Sequence, residues 1–187
     1  LALGWGVLPV RQRLRGSAPL RTLTGQHALN GWVKVGTDDT VTVVLARSEM
    51  GQGVATALSM LLADEMDADW DRVRTEPAPI DAIYNNIATA VDGLPFHPDQ
   101  QGWVRQTAEW LTAKAMREFG LMATGGSSSV KDLWQPMRQA GASARAMLVA
   151  GAAELKPNDV IVTFNGTAVT DYHHLQRLAA EAEVGKA

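Results

Sequence analysis

Two short glycine-containing stretches carry the residue types best suited to binding an anion. "SEMGQG", residues 48–53, places Gly51 and Gly53 around Gln52 where an extended apolar segment meets a predicted helix. "ATGGSSSV", residues 123–130, places two glycines and three serines just before another predicted helix. Glycine lets a backbone approach a ligand, and the free N–H groups of a first helical turn attract negative charge. Two such loops could hold one phosphorylated cofactor.

Each stretch taken alone also fits a purely structural role. Gly51 and Gly53 suit a bulge followed by a helix N-cap, and a run of serines is more often a capping loop than a binding site. Because a glycine-containing stretch occurs before two different helices, a ligand-binding role is favoured.

Composition excludes several classes of function. The 187 residues are 46% hydrophobic and 20% charged, which is typical of a soluble globular protein. The net charge of −3 provides no basic surface for nucleic acid, and the absence of cysteine excludes disulfides, thiolate metal sites and cysteine nucleophiles. His173 and His174 are adjacent, so on a helix they point about 100° apart and do not share a metal. We therefore predict no metal-ligating side chains.

The elements around the first glycine stretch predict an α+β unit. "LNGWVKVG" and "VTVVLA" are two strands joined by the turn residues "TDDT". "VATALSMLLADEM" repeats apolar residues with helical spacing and ends near Asp67, and "DRVRTEPAP" is a further short strand. The order is strand, strand, helix, strand.

The next part of the chain predicts a long loop and two helices. Residues 81–101 are rich in Asn, Asp, Gly and Pro, which indicates an irregular excursion. "GWVRQTAEWLTAKAMREFG" predicts a helix that ends at Gly120, with Val104 and Leu111 on one apolar face. After the serine run, an alanine-rich helix is expected to kink or restart at Pro136.

The two ends of the chain differ from this unit. "LALGWGVLPV" is too short to span a bilayer, which takes about 20 residues, and we interpret residues 1–28 as the end of a signal or anchor segment with a linker. An apolar strand at the start of a soluble domain is the alternative. Residues 29–153 form the α+β unit, and residues 154–187 predict strand, Asn-Gly turn, strand, and a helix from Asp171.

Both glycine stretches, in this order and with a strand and helix between them, resemble a known family. Residues 1 to about 150 are similar to the molybdopterin-binding subunit of the xanthine dehydrogenase and aldehyde oxidase family, especially the branch that includes the β subunit of isoquinoline 1-oxidoreductase. In that family the two loops contact the pterin and phosphate parts of the molybdenum cofactor. The resemblance implies ten cofactor-binding residues: Met50, Gly51, Gln52, Gly53, Thr124, Gly125, Gly126, Ser127, Ser128 and Ser129.

The resemblance also implies an activity and its setting. The family hydroxylates an aldehyde or an N-heterocycle with a molybdopterin-type molybdenum cofactor, of which the cytosine dinucleotide is one form, beside a small [2Fe-2S] subunit. It implies a periplasmic or membrane-associated location facing the periplasm, with an anchor upstream. The family's catalytic glutamate lies near the far C-terminus of a longer chain, and neither Glu49 nor Glu65 matches it. We therefore expect no catalytic residue here and no turnover by this chain alone.

The tail resembles a different family. Residues 154–187 are similar to the second half of a PDZ domain of the kind attached to periplasmic trypsin-like proteases, without the carboxylate-binding loop and the peptide-accepting strand. Two alternatives to a molybdenum hydroxylase fragment therefore stand. One is a PDZ-type peptide-binding module, and the other is a non-catalytic chimeric remnant joined between Met147 and Glu154.

Overall fold

A computed structural model of the chain describes residues 13–97, 99–152, 163–164 and 167–168. Its main sheet has four strands in the order of the sequence: β1 Gln26–Ala28, β2 Val33–Gly36, β3 Val41–Leu45 and β4 Val73–Pro77. β1, β2 and β3 pair antiparallel, whereas β3 and β4 pair parallel. The sheet is therefore mixed, with its parallel pair at one edge.

The turn between β2 and β3 shows why the hairpin forms at "TDDT". The Asp38 carboxylate accepts hydrogen bonds from the backbone N–H and the hydroxyl of Thr40. Asp39 adopts a left-handed conformation with φ +63°, which aspartate tolerates better than most residues. In the resulting register Val33 lies opposite Val43 and Val35 opposite Val41.

The described residues also form four α-helices and two 3-10 turns, the latter at Trp70–Arg72 and Ala82–Tyr84. The helices are α1 Val54–Met66, α2 Ile87–Asp92, α3 Trp103–Phe119 and α4 Ser129–Ala152. α1 connects β3 to β4, because parallel neighbours need a crossover connection. α1 and α4 pack along each other, and the small residue Gly141 allows the close approach, since any side chain there would collide with the Leu62 carbonyl.

The core lies between the sheet and the α1–α4 pair. Its largest fully buried side chains come from the sheet, both helices and the second 3-10 turn: Trp32, Val33, Val43, Val44, Leu58, Leu62, Ile83, Tyr84, Leu133 and Met137. Trp32 and Tyr84 meet edge to face with ring centroids 4.8 Å apart. The apolar stripe of α1 read from the sequence is thus the face that packs inward.

Several predictions about elements are confirmed. The fold class is α+β, the β2–β3 hairpin and β4 lie where the alternating patterns place them, and α3 ends at Gly120. α1 ends at Asp67, which takes a left-handed conformation and donates its backbone N–H to the carbonyls of Ala63 and Asp64. β1 was not predicted from the sequence, since its three residues carry no alternating pattern.

Within residues 81–101, the prediction of an irregular segment is wrong for Ala82–Tyr84 and Ile87–Asp92, which are helical, whereas residues 93–97 and 99–101 contain no helix or strand. The Asp81 carboxylate caps the second 3-10 turn by accepting the Ile83 N–H, and the Asn86 side chain caps α2 by accepting the Thr89 N–H. The Asp and Asn residues that suggested a loop instead start helical turns, which is their other common position.

The restart expected at Pro136 was wrong, because α4 is one helix that continues through this residue, whereas the alternative of a kink stays a prediction. Proline lacks the N–H that would bond the carbonyl four residues earlier, which belongs to Asp132. That carbonyl lies 3.4 Å from Nη1 of Arg13, which donates to it instead. A long-range partner therefore replaces the missing helical bond.

The orientation of α3 differs from the sequence interpretation. Val104 and Leu111, expected on a packing face, are 50% and 44% exposed, whereas Lys114 and Arg117 are buried. α3 packs on α2 and the second 3-10 turn and not on the sheet, and the Lys114 ammonium lies 4.5 Å from the centroid of the Trp110 ring. The buried face of α3 depends on the elements that it packs against, and the apolar periodicity of its sequence does not specify these elements.

The ends of the chain are described only in part. Within residues 13–28, interpreted as a linker, Arg13 is buried and β1 joins the sheet. In the tail, β5 Thr163–Phe164 and β6 Thr167–Ala168 pair antiparallel, in agreement with the expected strand–turn–strand. The helix expected from Asp171 and residues 1–12 lie outside the described residues, and a PDZ-like half domain is not confirmed. No helix in the described part is both long and apolar enough to cross a membrane.

Candidate functional site

The first loop, residues 48–53, begins just after the end of β3 and leads into α1. Gly51 and Gly53 have φ of +92° and +79°, in the left-handed region where side chains other than hydrogen are strained. Gly53 is the N-cap residue of α1 and has no side chain with which to cap it. The backbone conformation therefore accounts for both glycines before any ligand is considered.

The carboxylate of Glu49 caps α1 in place of the missing side chain. Its Oε1 accepts hydrogen bonds from the N–H groups of Gly51 at 2.8 Å and Gly53 at 3.0 Å, and its Oε2 accepts from Ala55 at 2.9 Å. The N–H of Ala55, followed by that of Gly53, holds the pKa of Glu49 below its usual value. These N–H groups were expected to be free for phosphate, and this expectation was wrong, because Glu49 already binds them.

The side chain of Gln52 closes the same loop. Its Oε1 accepts the Met50 N–H at 2.6 Å, and its Nε2 donates to the Ser48 carbonyl at 2.9 Å. Met50, by contrast, is 69% exposed. Gln52 therefore has a structural role in holding the loop, in addition to any contact with a ligand.

The second loop, residues 124–129, leads into α4, of which Ser129 is the first residue, and it also contains strained backbone. Gly126 and Ser127 have φ of +60° and +51°. A left-handed serine costs energy that glycine would avoid, and such residues cluster at functional sites. Ser127 is exposed, whereas Ser128 beside it is fully buried.

The burial of Ser128 removes it from the surface that a ligand can reach. Its hydroxyl donates to the Gly125 carbonyl at 2.7 Å and accepts from Nδ2 of Asn86 at 2.7 Å. The Thr89 hydroxyl lies 2.8 Å away. Ser128 thus ties the second loop to the start of α2.

The two loops meet at one cavity of about 310 Å³, here called the loop cavity. Of the ten residues proposed from the sequence, seven line it: Met50, Gln52, Gly53, Thr124, Gly125, Ser127 and Ser129. Gly51, Gly126 and Ser128 are not part of its lining. A direct bond also joins the loops, because the Ser48 N–H donates to the Thr124 hydroxyl at 2.8 Å.

A second cavity of about 550 Å³, the strand-end cavity, adjoins the loop cavity and shares Met50 and Thr124 with it. It lies at the carboxyl ends of β3 and β4 and is lined by Glu49 and Glu76 among others. The carboxyl ends of parallel strands are a common location for ligands in open sheets. Both cavities therefore border the first loop and have lining residues in common.

A buried ionic cluster lies beneath the loops. Nη2 of Arg47 is 2.5 Å from Oδ2 of Asp132, and Nη1 of Arg13 is 3.0 Å from the same oxygen. Burial lowers the pKa of both arginines, which the charge of Asp132 partly offsets. Sequence reasoning missed this cluster, since nothing local pairs Arg47 with a residue 85 positions away.

The site does not include a recognisable metal-binding group. Among residues 13–97, 99–152 and the two short tail strands, no three or more His, Asp or Glu side chains are grouped so that they could hold a metal ion. What the loops offer is amide and hydroxyl groups, which suit hydrogen bonding to an organic ligand.

Comparison with known proteins connects this geometry to one family. Residues 1–91, which include the first loop, match the family described as molybdopterin cofactor-binding domain. Over 137 residues the chain is 34% identical to a membrane-bound aldehyde dehydrogenase [pyrroloquinoline-quinone] of Gluconacetobacter polyoxogenes, which covers 72% of this chain and 13% of the relative. Over 143 residues it is 32% identical to isoquinoline 1-oxidoreductase subunit beta of Brevundimonas diminuta, which covers 75% of this chain and 15% of the relative.

The chain thus matches less than one sixth of the length of either oxidoreductase. Residues 1–91 thus match the molybdopterin cofactor-binding domain family, and 72% and 75% of the chain is similar to a segment of the first and the second relative.

Proposed function

We propose that the two loops hold the pterin and phosphate parts of a molybdenum cofactor, as a segment of an oxidoreductase that hydroxylates an aldehyde or an N-heterocycle. The observation that carries this proposal is that both loops, separated by 70 residues of chain, line the same cavity. The cofactor, when bound, supplies the redox chemistry, and the protein supplies binding and orientation.

The chemistry of the loops fits such a group. A Cβ built on Gly51, Gly53, Gly125 or Gly126 meets no heavy atom within 4 Å, so open space lies above both glycine pairs. The Glu49 carboxylate at the start of α1 stands in for a bound anion, because two negatively charged oxygens already accept three backbone N–H groups there.

Two kinds of contact would hold the cofactor. The polar side chains of Gln52, Thr124, Ser127 and Ser129 line the loop cavity and can bond pterin heteroatoms directly. A phosphate oxygen can reach the N–H groups of the α1 start only if Glu49 moves aside. In this proposal, the cofactor is held mainly by these polar side chains as long as the Glu49 carboxylate occupies the backbone N–H groups of α1.

The rest of the proposal follows the two relatives. One is named as membrane-bound and the other as a β subunit, so we propose a membrane-associated or periplasmic setting and a small [2Fe-2S] partner subunit. The cytosine dinucleotide form of the cofactor and the lack of turnover by this chain alone belong to the same proposal. The name of the first relative includes pyrroloquinoline quinone, a different cofactor, and the experiment must distinguish the two.

The test is to express the 187-residue chain in a host that makes molybdenum cofactor and to analyse the purified protein. Molybdenum is measured by plasma mass spectrometry, and pterin by fluorescence after oxidation. Backbone NMR of the first loop during titration with the isolated cofactor detects binding too weak to survive purification. The Gly53→Val variant is the control, because it keeps the rest of the chain but blocks the first loop.

The expected result is pterin and molybdenum in equal amounts, with shifts at Gly51 and Gly53 that the Gly53→Val variant lacks. Pyrroloquinoline quinone binding without pterin would contradict the proposal. So would pterin binding that is unchanged in the Gly53→Val variant, because the first loop would then not be the site.

A further inference from the structure

The buried pair Arg47–Asp132 joins the bases of the two loops. Arg47 lies directly before the first loop, and Asp132 lies in the first turn of α4, directly after the second loop. Their side chains are 0% and 2% exposed, and Nη2 of Arg47 lies 2.5 Å from Oδ2 of Asp132. This buried ion pair therefore links the residues that flank the two loops.

Neither partner of this pair can reorient freely. Nη1 of Arg47 also donates to the carbonyls of Ala46 and Tyr84, each at 2.8 Å. Oδ1 of Asp132 accepts the N–H groups of Ile87 and Ala88 at 2.9 and 3.0 Å. Further hydrogen bonds thus hold each side chain in place. The ion pair therefore sets the distance between the backbone around Arg47 and the first turn of α4.

Stability alone does not explain such a pair. Removing two charges from water is costly, and well-packed apolar residues often stabilise a core equally well. Buried ionic groups are best known for specifying one geometry among several. We propose that Arg47 and Asp132 are positioning residues that fix the separation of the two loops and hence the width of the loop cavity. Its consequence for ligand binding rests on the proposed function, whereas the separation itself does not.

The chain provides a matched control in the pair Arg138–Glu65. It joins α1 to α4, with Nε of Arg138 2.6 Å from Oε1 of Glu65, and both side chains are largely buried. Glu65 lies in the last turn of α1, at the end opposite the first loop. Breaking this pair removes another ion pair to α4 without acting at the base of the loops.

The separation can be measured directly by spin labelling. The chain has no cysteine, so Met50→Cys and Val130→Cys place the only two labels on opposite sides of the loop cavity. Dipolar EPR is recorded for this labelled chain and for the same chain carrying Asp132→Asn or Glu65→Gln. We expect a longer and broader distance distribution for Asp132→Asn and an unchanged one for Glu65→Gln.

Cofactor content is measured on chains that carry Asp132→Asn or Glu65→Gln without the two cysteine substitutions. We expect Asp132→Asn to lower pterin content about tenfold, equivalent to about 1.4 kcal/mol of binding free energy, and Glu65→Gln to leave it unchanged. An unlabelled wild-type chain that binds no pterin would contradict the proposed function alone, and the EPR result would still decide the positioning role.

Three results would overturn the inference. One is a distance distribution in Asp132→Asn that equals the wild-type distribution, and another is equal broadening in Glu65→Gln. The third is full pterin content despite a widened cavity. If Asp132→Asn does not fold, the same two measurements are made on Arg47→Lys, which keeps the positive charge but lacks the planar guanidinium group. If neither variant folds, the pair is a requirement of the whole fold, and the positioning role is wrong.

Discussion

Oε1 of Glu49 lies 3.0 Å from the backbone nitrogen of Gly53, at the N-terminus of α1. An acidic side chain four residues before a glycine N-cap thus replaces the cap that glycine lacks. The positive end of the helix dipole favours the same negative charge. Glu49 is therefore the residue that shapes the first loop when no ligand is bound.

The shape of the first loop should depend on pH through Glu49. Its pKa is lowered from 4.5 in the folded chain by the N–H groups of Ala55 and Gly53, so its contribution to stability is present above that value. As the pH falls through the lower folded pKa, the contribution is lost. An NMR titration of the Glu49 carboxyl carbon should give a midpoint below 4.5, with parallel shifts at the Gly53 amide.

The variant Glu49→Gln is the control for that titration. Its neutral amide cannot ionise, so the pH-dependent step at the Gly53 amide should disappear. A Glu49 midpoint at or above 4.5 would mean that the carboxylate does not hold the loop in solution.

Gly53→Val should destabilise the chain and abolish cofactor retention. A β-branched residue at φ +79° is strained by roughly 1–2 kcal/mol, and its side chain fills the space above the loop. Gly125→Ala is the control for the stability effect alone, since its position is open and its φ is not left-handed, and we expect a change in the free energy of unfolding below about 0.5 kcal/mol. Urea unfolding and pterin content measure the two effects separately. A Gly53→Val chain that keeps its pterin while losing stability would show that the first loop is only a structural turn.

The neighbouring serines Ser127 and Ser128 should respond in opposite ways to replacement by alanine. Ser128→Ala removes two buried hydrogen bonds of the hydroxyl, one with the Asn86 amide and one with the Gly125 carbonyl, so the free energy of unfolding should fall by roughly 1–3 kcal/mol. Ser127→Ala changes an exposed hydroxyl, so unfolding should move by less than about 0.5 kcal/mol while pterin retention falls. Denaturant unfolding with pterin analysis of both variants tests this, and a loss of stability in Ser127→Ala alone would contradict it.

Two glycines of α4 should also differ. Gly141→Ala places a methyl group against the Leu62 carbonyl, so α1 and α4 must separate, at a cost of about 1–3 kcal/mol. Gly151→Ala in the same helix meets open space, and the better helix propensity of alanine should stabilise the chain by up to about 1 kcal/mol. Thermal melts of both variants provide the comparison. Equal effects would mean that α1 and α4 do not pack as closely as described.

The sequence by itself determined the elements whose causes are local. The apolar stripe and the left-handed residues at Gly53 and Asp67 fix both ends of α1, because helix formation depends on contacts within a few residues. The turn at Asp38 and Asp39 fixed the hairpin for the same reason. The two glycine-containing loops could likewise be recognised from the sequence as similar loops before two helices, since the backbone freedom of glycine does not depend on distant residues.

Tertiary structure decided the relationships between distant residues. The parallel pairing of β3 with β4, the inward face of α3 and the pairing of Arg47 with Asp132 join segments that only packing brings together. A buried charge finds its partner by its position in the folded chain, and residue type and sequence spacing do not specify that position.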